Sequence, residues 1–347
     1  MRPLALILAV AFALLGGAQL HAELVWTPGQ GWRLEGGALP GLAGEDGRIA
    51  LDLMNEARNA EEAGNLKRAL KLYKRVADRY SNSVFAAEAL YRTGAIRMKR
   101  REYYKAFDAY QLMLARYPNS EKFSQVIAEQ YRIASLLLDG ARSYMWGVIP
   151  GFKNRERAID YFEQIVANAP YSDYAPLSLM NVARGHQRMD AHEEAIDALD
   201  RMINSYPQNV LTPDAYLKLA QTHASLVDGA YYDQASTKAA ITYYEDYLIQ
   251  FPGDAGAGSA EQGLAEMKTM LAESKMIIAD YYYKHRRNYK AARVFYNEAI
   301  TTYPDSPVAE RARTMLADVD VRLAGETPAT PEATKQQPKR KKRFWLF

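Results

Sequence analysis

From Ala69 onward the apolar positions fall at Ala69, Leu70, Tyr73, Val76 and Ala77, spacings of three and four that put one stripe on the face of a helix. The same register returns five more times along the chain. An alanine is followed four residues on by a ring or leucine and twelve residues on by Pro or Ser. The alanines are Ala69, Ala106, Ala158, Ala195, Ala240 and Ala292. Their partners are Tyr73, Tyr110, Phe162, Leu199, Tyr244 and Tyr296, and the stops are Ser81, Pro118, Pro170, Pro207, Pro252 and Pro304. Thirteen residues past the stop stands a small residue in five cases, Gly94, Ala183, Ala220, Ala265 and Ala317, with Tyr131 as the exception.

Packing explains these residue types. Two antiparallel helices approach closely only where one side chain is small, and a ring fills the groove beside it. The steps Tyr117-Pro118, Tyr206-Pro207, Phe251-Pro252 and Tyr303-Pro304 end the second helix of a pair. A residue before Pro disfavours the helical region, and Pro donates no hydrogen bond. Ser120 and Ser306 then stand where a cap for the next helix is needed. No strand is predicted. The spacings resemble the second helix of the tetratricopeptide repeat over residues 48–323. The resemblance implies an all-α fold: a tetratricopeptide-like helical-hairpin solenoid of about six repeats plus a C-terminal capping helix. Such stacks bury each pair against its neighbours and offer a concave surface to extended peptides or partner helices.

The repeat alanines are 37, 52, 37, 45 and 52 residues apart, so three intervals hold extra chain. The first, Asp139 to Asn154, carries Tyr144, Met145, Trp146, Gly147, Pro150, Gly151 and Phe152. The second, Asp228 to Thr237, carries Tyr231 and Tyr232. The third, Ala265 to Lys284, has no breaker and predicts one helix of about 28 residues. Here Leu271-Ala272-Glu273, Ile278-Ala279, Tyr281-Tyr282-Tyr283-Lys284, Asn288-Tyr289-Lys290-Ala291-Ala292 and Tyr303-Pro304-Asp305-Ser306-Pro307 resemble the last repeat of the BamD/ComL family. Those are tetratricopeptide lipoproteins that help assemble β-barrels in the outer membrane. The resemblance implies a periplasmic scaffold that binds a barrel-assembly protein; a tetratricopeptide adaptor in cell-wall synthesis or division is the alternative. Family members carry a lipidated cysteine after the signal, whereas this sequence contains no Cys.

The ends have their own compositions. Residues 1–22 read as a signal peptide, with Arg2, an apolar run from Leu4 to Leu15 and Ala22 before a cleavage point near Glu23. That run is shorter than the roughly 20 residues of a spanning helix. Residues 23–47 hold Trp26, Pro28, Gly29, Gly31, Trp32 and Gly36-Gly37 and read as an extended linker. Its two Trp rings either pack on the first helix pair or meet a partner. Residues 324–347 read as a disordered tail ending Lys339, Arg340, Lys341, Lys342, Arg343, Phe344, Trp345, Leu346, Phe347. Five cations beside four apolar residues suit an anionic membrane surface, against the plainer reading of a solvated charge run. The expected location is the periplasm, peripheral to the outer membrane.

Charge and chemistry narrow the function further. The net charge of +3 is carried by Arg2 and the tail, so the folded body lacks the basic face that nucleic acid demands. The absence of Cys removes disulfides, thiolate metal sites and cysteine nucleophiles. His186 and His223 recur at equivalent repeat positions, which suggests packing or groove lining. No histidine pair has metal-ligand spacing. Glu61-Glu62 and Glu193-Glu194 fit solvated turns at helix N-termini. Neither an enzyme nor a cofactor is expected. Candidate partner contacts are Tyr91, Arg92, Met98, Arg184 and Gln187 on first helices, with Arg286, Arg287 and Tyr289 in the turn closing the long helix.

Overall fold

The computed structural model describes residues 23–35, 45–232 and 234–325. The predicted signal peptide and nearly all of the predicted tail, Lys339 to Phe347 included, lie outside these residues. The described chain is all-α apart from two small hairpins, and its helices fall into two compact units dividing after Ala191.

The first unit opens with the hairpin β1 (Glu23–Thr27) and β2 (Gly31–Glu35). Helices α1 (Glu45–Glu62), α2 (Leu66–Arg79), α3 (Ala86–Lys99), α4 (Tyr103–Arg116) and α5 (Phe123–Leu138) follow. A second hairpin, β3 (Tyr144–Met145) and β4 (Ile149–Pro150), precedes α6 (Arg155–Asn168) and α7 (Tyr174–Gln187). Each helix packs on the next in sequence. The second unit holds α8 (His192–Ser205), α9 (Thr212–Ser225), α10 (Ala235–Gln250), α11 (Ala257–Tyr281), a π-turn over Tyr282–Arg286, α12 (Tyr289–Thr302) and α13 (Pro307–Gly325). It shows the same successive packing.

All six repeat alanines are buried, and so are the six ring or leucine partners. The close approach they permit is visible at glycine. A β-carbon on Gly94 of α3 would lie 2.3 Å from Cε1 of Tyr110 on α4, inside the ring's van der Waals surface. One on Gly263 of α11 would lie 2.4 Å from Cζ of Tyr244 on α10. Gly94, Ala183 and Ala220 are buried as the spacing requires. Ala265 is only half-buried and Ala317 is exposed, so the predicted small position fails in the last two instances. The long helix α11 buries Ala260, Met267, Ala272 and Ala279 on its own face instead, and α13 buries Ala312.

The punctuation works as expected. Tyr117, Ala169, Phe251 and Tyr303, each just before Pro, leave the helical region with φ of −132°, −143°, −129° and −148°. Ser306 Oγ accepts from Ala309 N at 3.1 Å and caps α13, whereas Ser120 Oγ accepts from Lys122 N at 3.3 Å, just ahead of α5. Asn65, Asn154 and Asn288 cap α2, α6 and α12 in the same way. Two residues before a second helix the backbone turns left-handed, at Gly64, Arg101, Asp190 and Arg287.

Two corrections concern strands, which the sequence did not announce. The stretch read as an extended linker folds back at Pro28–Gln30 so that Trp26 pairs with Trp32. Trp32 is buried, its backbone N–H donates to Asn55 Oδ1 at 2.7 Å, and the Arg58 guanidinium lies 4.2 Å from the Trp26 ring centre. The packing alternative for these rings therefore holds within the described residues. In the first insertion, Tyr144 and Met145 pair with Pro150 and Ile149. The third insertion is helical as predicted: α11 runs 25 residues and continues into a π-turn of five.

The Gly94–Tyr110 contact yields a stability prediction. Gly94→Ala is expected to cost about 1–3 kcal/mol by overpacking, and Tyr110→Leu in the same chain to recover a large part of it. Urea unfolding of the two singles and the double measures this; strictly additive losses would contradict the contact.

Candidate functional site

The N-terminal half of α3 faces a cleft of about 720 Å³ bounded by Leu24 of β1, Ser83 and Val84 before α3, Tyr117 to Lys122 after α4, and Gln125 of α5. At its wall Glu88 is buried yet ionically held, with Arg92 Nε at 2.8 Å and Lys122 Nζ at 3.4 Å. Burial works to lower the Arg92 pKa, but the charge and hydrogen bond of Glu88, with Glu61 and Tyr73 adding to them, together outweigh it and the net direction is up. Lys122 Nζ also sits 4.7 Å above the Tyr91 ring, and Gln125 Nε2 donates to Tyr91 Oη at 2.7 Å. Burial, with Glu129 adding its charge, raises the Tyr91 phenol above its ordinary value. The cleft is thus polar on one wall and braced by interactions between α3 and α5.

Three predicted contacts on α3 are therefore less free than the spacing implied. Tyr91, Arg92 and Met98 are half-buried, and Arg92 is spent on Glu88 and on the Trp32 ring, 5.5 Å away. Glu88, Lys122 and Gln125 were missed as members of this cluster. Only the Glu88–Arg92 spacing of four was visible beforehand, as a pair any helix surface tolerates. Arg184 on α7 is exposed but reaches Asp139 Oδ1 at 2.6 Å, and Arg188 joins it at 3.4 Å. These pairs clamp the start of the first insertion to α7. Gln187 is half-buried near the same helix end.

The second unit holds a different cluster where α11 ends. Tyr296 Oη donates to Asp280 Oδ1 at 2.6 Å, and Lys284 Nζ meets Asp280 Oδ2 at 2.5 Å. Burial first, and the bond to Asp280 second, push the Tyr296 phenol up. Tyr283 donates to Asp318, and Arg322 Nε reaches the same carboxylate at 2.9 Å. The Tyr283 bond and then the Arg322 bond hold the Asp318 pKa below the usual carboxylate range. Arg322 also lies over the rings of Tyr283 and Tyr289, at 5.1 and 5.6 Å. Tyr289 is consequently half-buried in this knot, whereas Arg286 and Arg287 are exposed, Arg286 lying over Tyr281 at 5.8 Å and Arg287 in the left-handed region at φ 50°. The predicted contacts thus occupy separate places: helix α3 behind the residues that line the cleft, the end of α7, and the stretch from the π-turn to the start of α12.

His223 stacks on Tyr243 at 5.3 Å and is lowered in pKa by burial, against the pull of Asp200. Among the described residues there is no group of three or more His, Cys, Asp or Glu placed to hold a metal ion. No helix among them is long and apolar enough to cross a membrane.

The cluster at the end of α11 and the helices around it fall within residues 152–334, the stretch matched by the family described as YfiO, outer membrane lipoprotein. That is more than half of the 347-residue chain. The chain belongs to the YfiO family. Residues 54–121 separately match a tetratricopeptide repeat family, in agreement with the packing of α1 to α4. Among similar proteins are three named outer membrane protein assembly factor BamD. The one from Xylella fastidiosa (strain Temecula1) is 24% identical over 48% of this chain and 60% of its own length. The one from Caulobacter vibrioides is 30% identical over 38% of this chain and 43% of its own. The one from Pasteurella multocida is 25% identical over 52% of this chain and 74% of its own. The chain thus spans about 60% or less of the first two relatives. The YfiO match leaves α1 to α5 outside it, and with them the α3 cleft.

Asp318 supplies a pH test of the YfiO-matched end. Its folded pKa is depressed, so its contribution is present above the unfolded carboxylate pKa and lost as pH falls through the folded value. Thermal unfolding of Asp318→Asn is expected to lie below the parent at neutral pH and to converge with it in acid. A constant gap across that range would show that the carboxylate charge is not what holds Tyr283 and Arg322.

Proposed function

We propose that this chain is a periplasmic scaffold, peripheral to the outer membrane, which takes part in β-barrel assembly by binding a barrel-assembly protein. Membership of the YfiO family and similarity to proteins named as BamD support the process. The single observation that carries the partner site is the exposed guanidinium pair Arg286 and Arg287. Arg286 ends a π-turn and Arg287 is the left-handed residue that follows it, and the turn is tied to α13 through the Tyr283–Asp318–Arg322 knot. Rigid support of this kind lowers the ordering cost of binding, and Arg is enriched among the residues that dominate interfaces. A docking domain with paired carboxylates is the complementary surface.

The α3 cleft, with Tyr91 at its rim, is the place for a second contact with an extended segment. In the same reading, Lys339 to Phe347 add an attachment to anionic lipid. Chemistry is not part of the proposal: the chain acts by holding its partners.

The test is capture from detergent-solubilised native membranes with the tagged full chain. Recovery of a barrel-assembly protein is expected, reduced about tenfold or more by Arg286→Glu with Arg287→Glu, which reverses two charges at an interface. Equal recovery by the charge-reversed chain would remove the π-turn as the docking site, and no recovery by either would remove the assembly role.

A further inference from the structure

The first insertion presents apolar side chains to solvent in a way the helix stack does not require. Met145 is 52% exposed, Trp146 67%, Val148 72%, Ile149 44% and Phe152 93%. Single exposed apolar residues are ordinary on any protein, but Met145, Trp146, Val148 and Ile149 fall together at the turn of one hairpin, and Phe152 follows at its base beside Lys153.

The tip is built, not loose. Ser143 is buried at its base, with its Oγ accepting from Tyr104 N at 3.2 Å and its carbonyl accepting from Gly151 N at 2.9 Å. Tyr144 N donates to Arg101 O at 2.7 Å, and Arg100 donates to the Trp146 carbonyl at 2.6 Å. The β3–β4 pairing and the Val148 N to Met145 O bond at 3.2 Å occupy further backbone groups at the turn itself. A segment whose backbone is already hydrogen-bonded can leave water at low cost.

Around the base stands a collar of cations. Arg101, Arg142, Lys153 and Arg155 are exposed, and none is in an ion pair among the described residues. The nearby acids are largely spent: Glu102 is buried against Arg97 and Arg100, and Asp139 is held by Arg184 and Arg188. Glu156 remains exposed. Apolar tip and cationic collar together match the layering of a bilayer surface, acyl chains beneath anionic headgroups.

We propose that the β3–β4 hairpin is a membrane-seating tip, which inserts Trp146, Phe152 and their apolar neighbours into the interface of a bilayer bearing anionic lipid. Size favours lipid over a protein partner. A standard protein interface needs roughly 20–30 residues a side, whereas this tip offers five side chains. Two-residue strands are roughly 7 Å long, which fits the roughly 5–10 Å depth at which interfacial segments lie. The collar supplies the second of the two weak signals that peripheral attachment requires. This contact is independent of both the C-terminal tail and the guanidinium pair on the π-turn.

The experiment is vesicle flotation with the full chain, in which Lys339, Arg340, Lys341, Lys342 and Arg343 are changed to Gln and Phe344, Trp345, Leu346 and Phe347 to Ser to silence the tail. Vesicles of phosphatidylcholine containing phosphatidylglycerol are compared with phosphatidylcholine alone. The silenced chain is expected to float with the anionic vesicles, and Trp146→Ser with Phe152→Ser to lower its partition about tenfold or more, since two large apolar side chains no longer leave water. Arg142→Gln with Lys153→Gln and Arg155→Gln is expected to remove the preference for anionic vesicles and the sensitivity to salt. Trp146 emission should shift to the blue and be quenched by bromine-labelled acyl chains, a signal lost in Trp146→Phe. Circular dichroism checks that each variant keeps its helices; the changed side chains are exposed, so folding should persist. No flotation, flotation untouched by the loop changes, or a soluble dimer that those same changes dissolve would each overturn the proposal. Capture in detergent reads Arg286 and Arg287 and leaves the loop out, so the two proposals fail separately.

Discussion

Two antiparallel helices can lie as close as these only where one of them carries almost nothing at the crossing, and the ring of Tyr110 occupying the space where Gly94 would place a β-carbon shows how little room is left. The same constraint governs Tyr244 against Gly263 and Ile159 against Gly185, the last with 2.7 Å between Cγ1 and an added β-carbon. Every other feature of the stack follows from meeting it repeatedly. An alanine stands in the first or second turn of each second helix because its neighbour passes there, the ring fills the groove beside it, and in five of the six a proline follows the helix end. Two of the buried tyrosines satisfy their hydroxyls locally, Tyr73 donating to Glu61 at 3.0 Å and Tyr247 to Asp254 at 2.5 Å, whereas the Tyr161 hydroxyl is buried without a partner among the described residues.

Much of this was legible from residues alone, because a period repeated six times is a far stronger signal than any one helix propensity. What escaped notice was local pairing. Trp26 and Trp32 flank a Pro-Gly-Gln-Gly run, and read as composition that run says linker. Read as a turn between β-prone stretches, it says hairpin. The tiny β3–β4 pairing had even less to announce it, since two-residue strands carry no alternation. Ala265 and Ala317 misled for another reason. A longer helix sets its own buried face, so counting onward from a proline stop loses register within α11 and beyond.

The partner contacts were less legible still. Exposure on a helix face can be inferred from periodicity, but whether a charged side chain is already engaged depends on what a different helix brings near it. Arg92 and Arg184 read as free and are held by Glu88 and Asp139, one on the same helix and one across 45 residues of sequence. The turn after the long helix could be read from the end of one periodic stretch and the start of the next, but it is narrower than read: Arg286 still belongs to the π-turn, Arg287 is its left-handed end, and Tyr289 already opens α12.

The left-handed turns carry a consequence beyond geometry. Position for position, Gly64, Arg101, Asp190 and Arg287 adopt the same conformation two residues ahead of a second helix, and only the first is the residue that suits it. A side chain there costs on the order of 1 kcal/mol, so the scaffold is held short of its attainable ruggedness at three corners. Glycine at those corners would give a sturdier protein. At two of them it would also erase the guanidinium groups of Arg101 and Arg287, setting durability against what the corner displays.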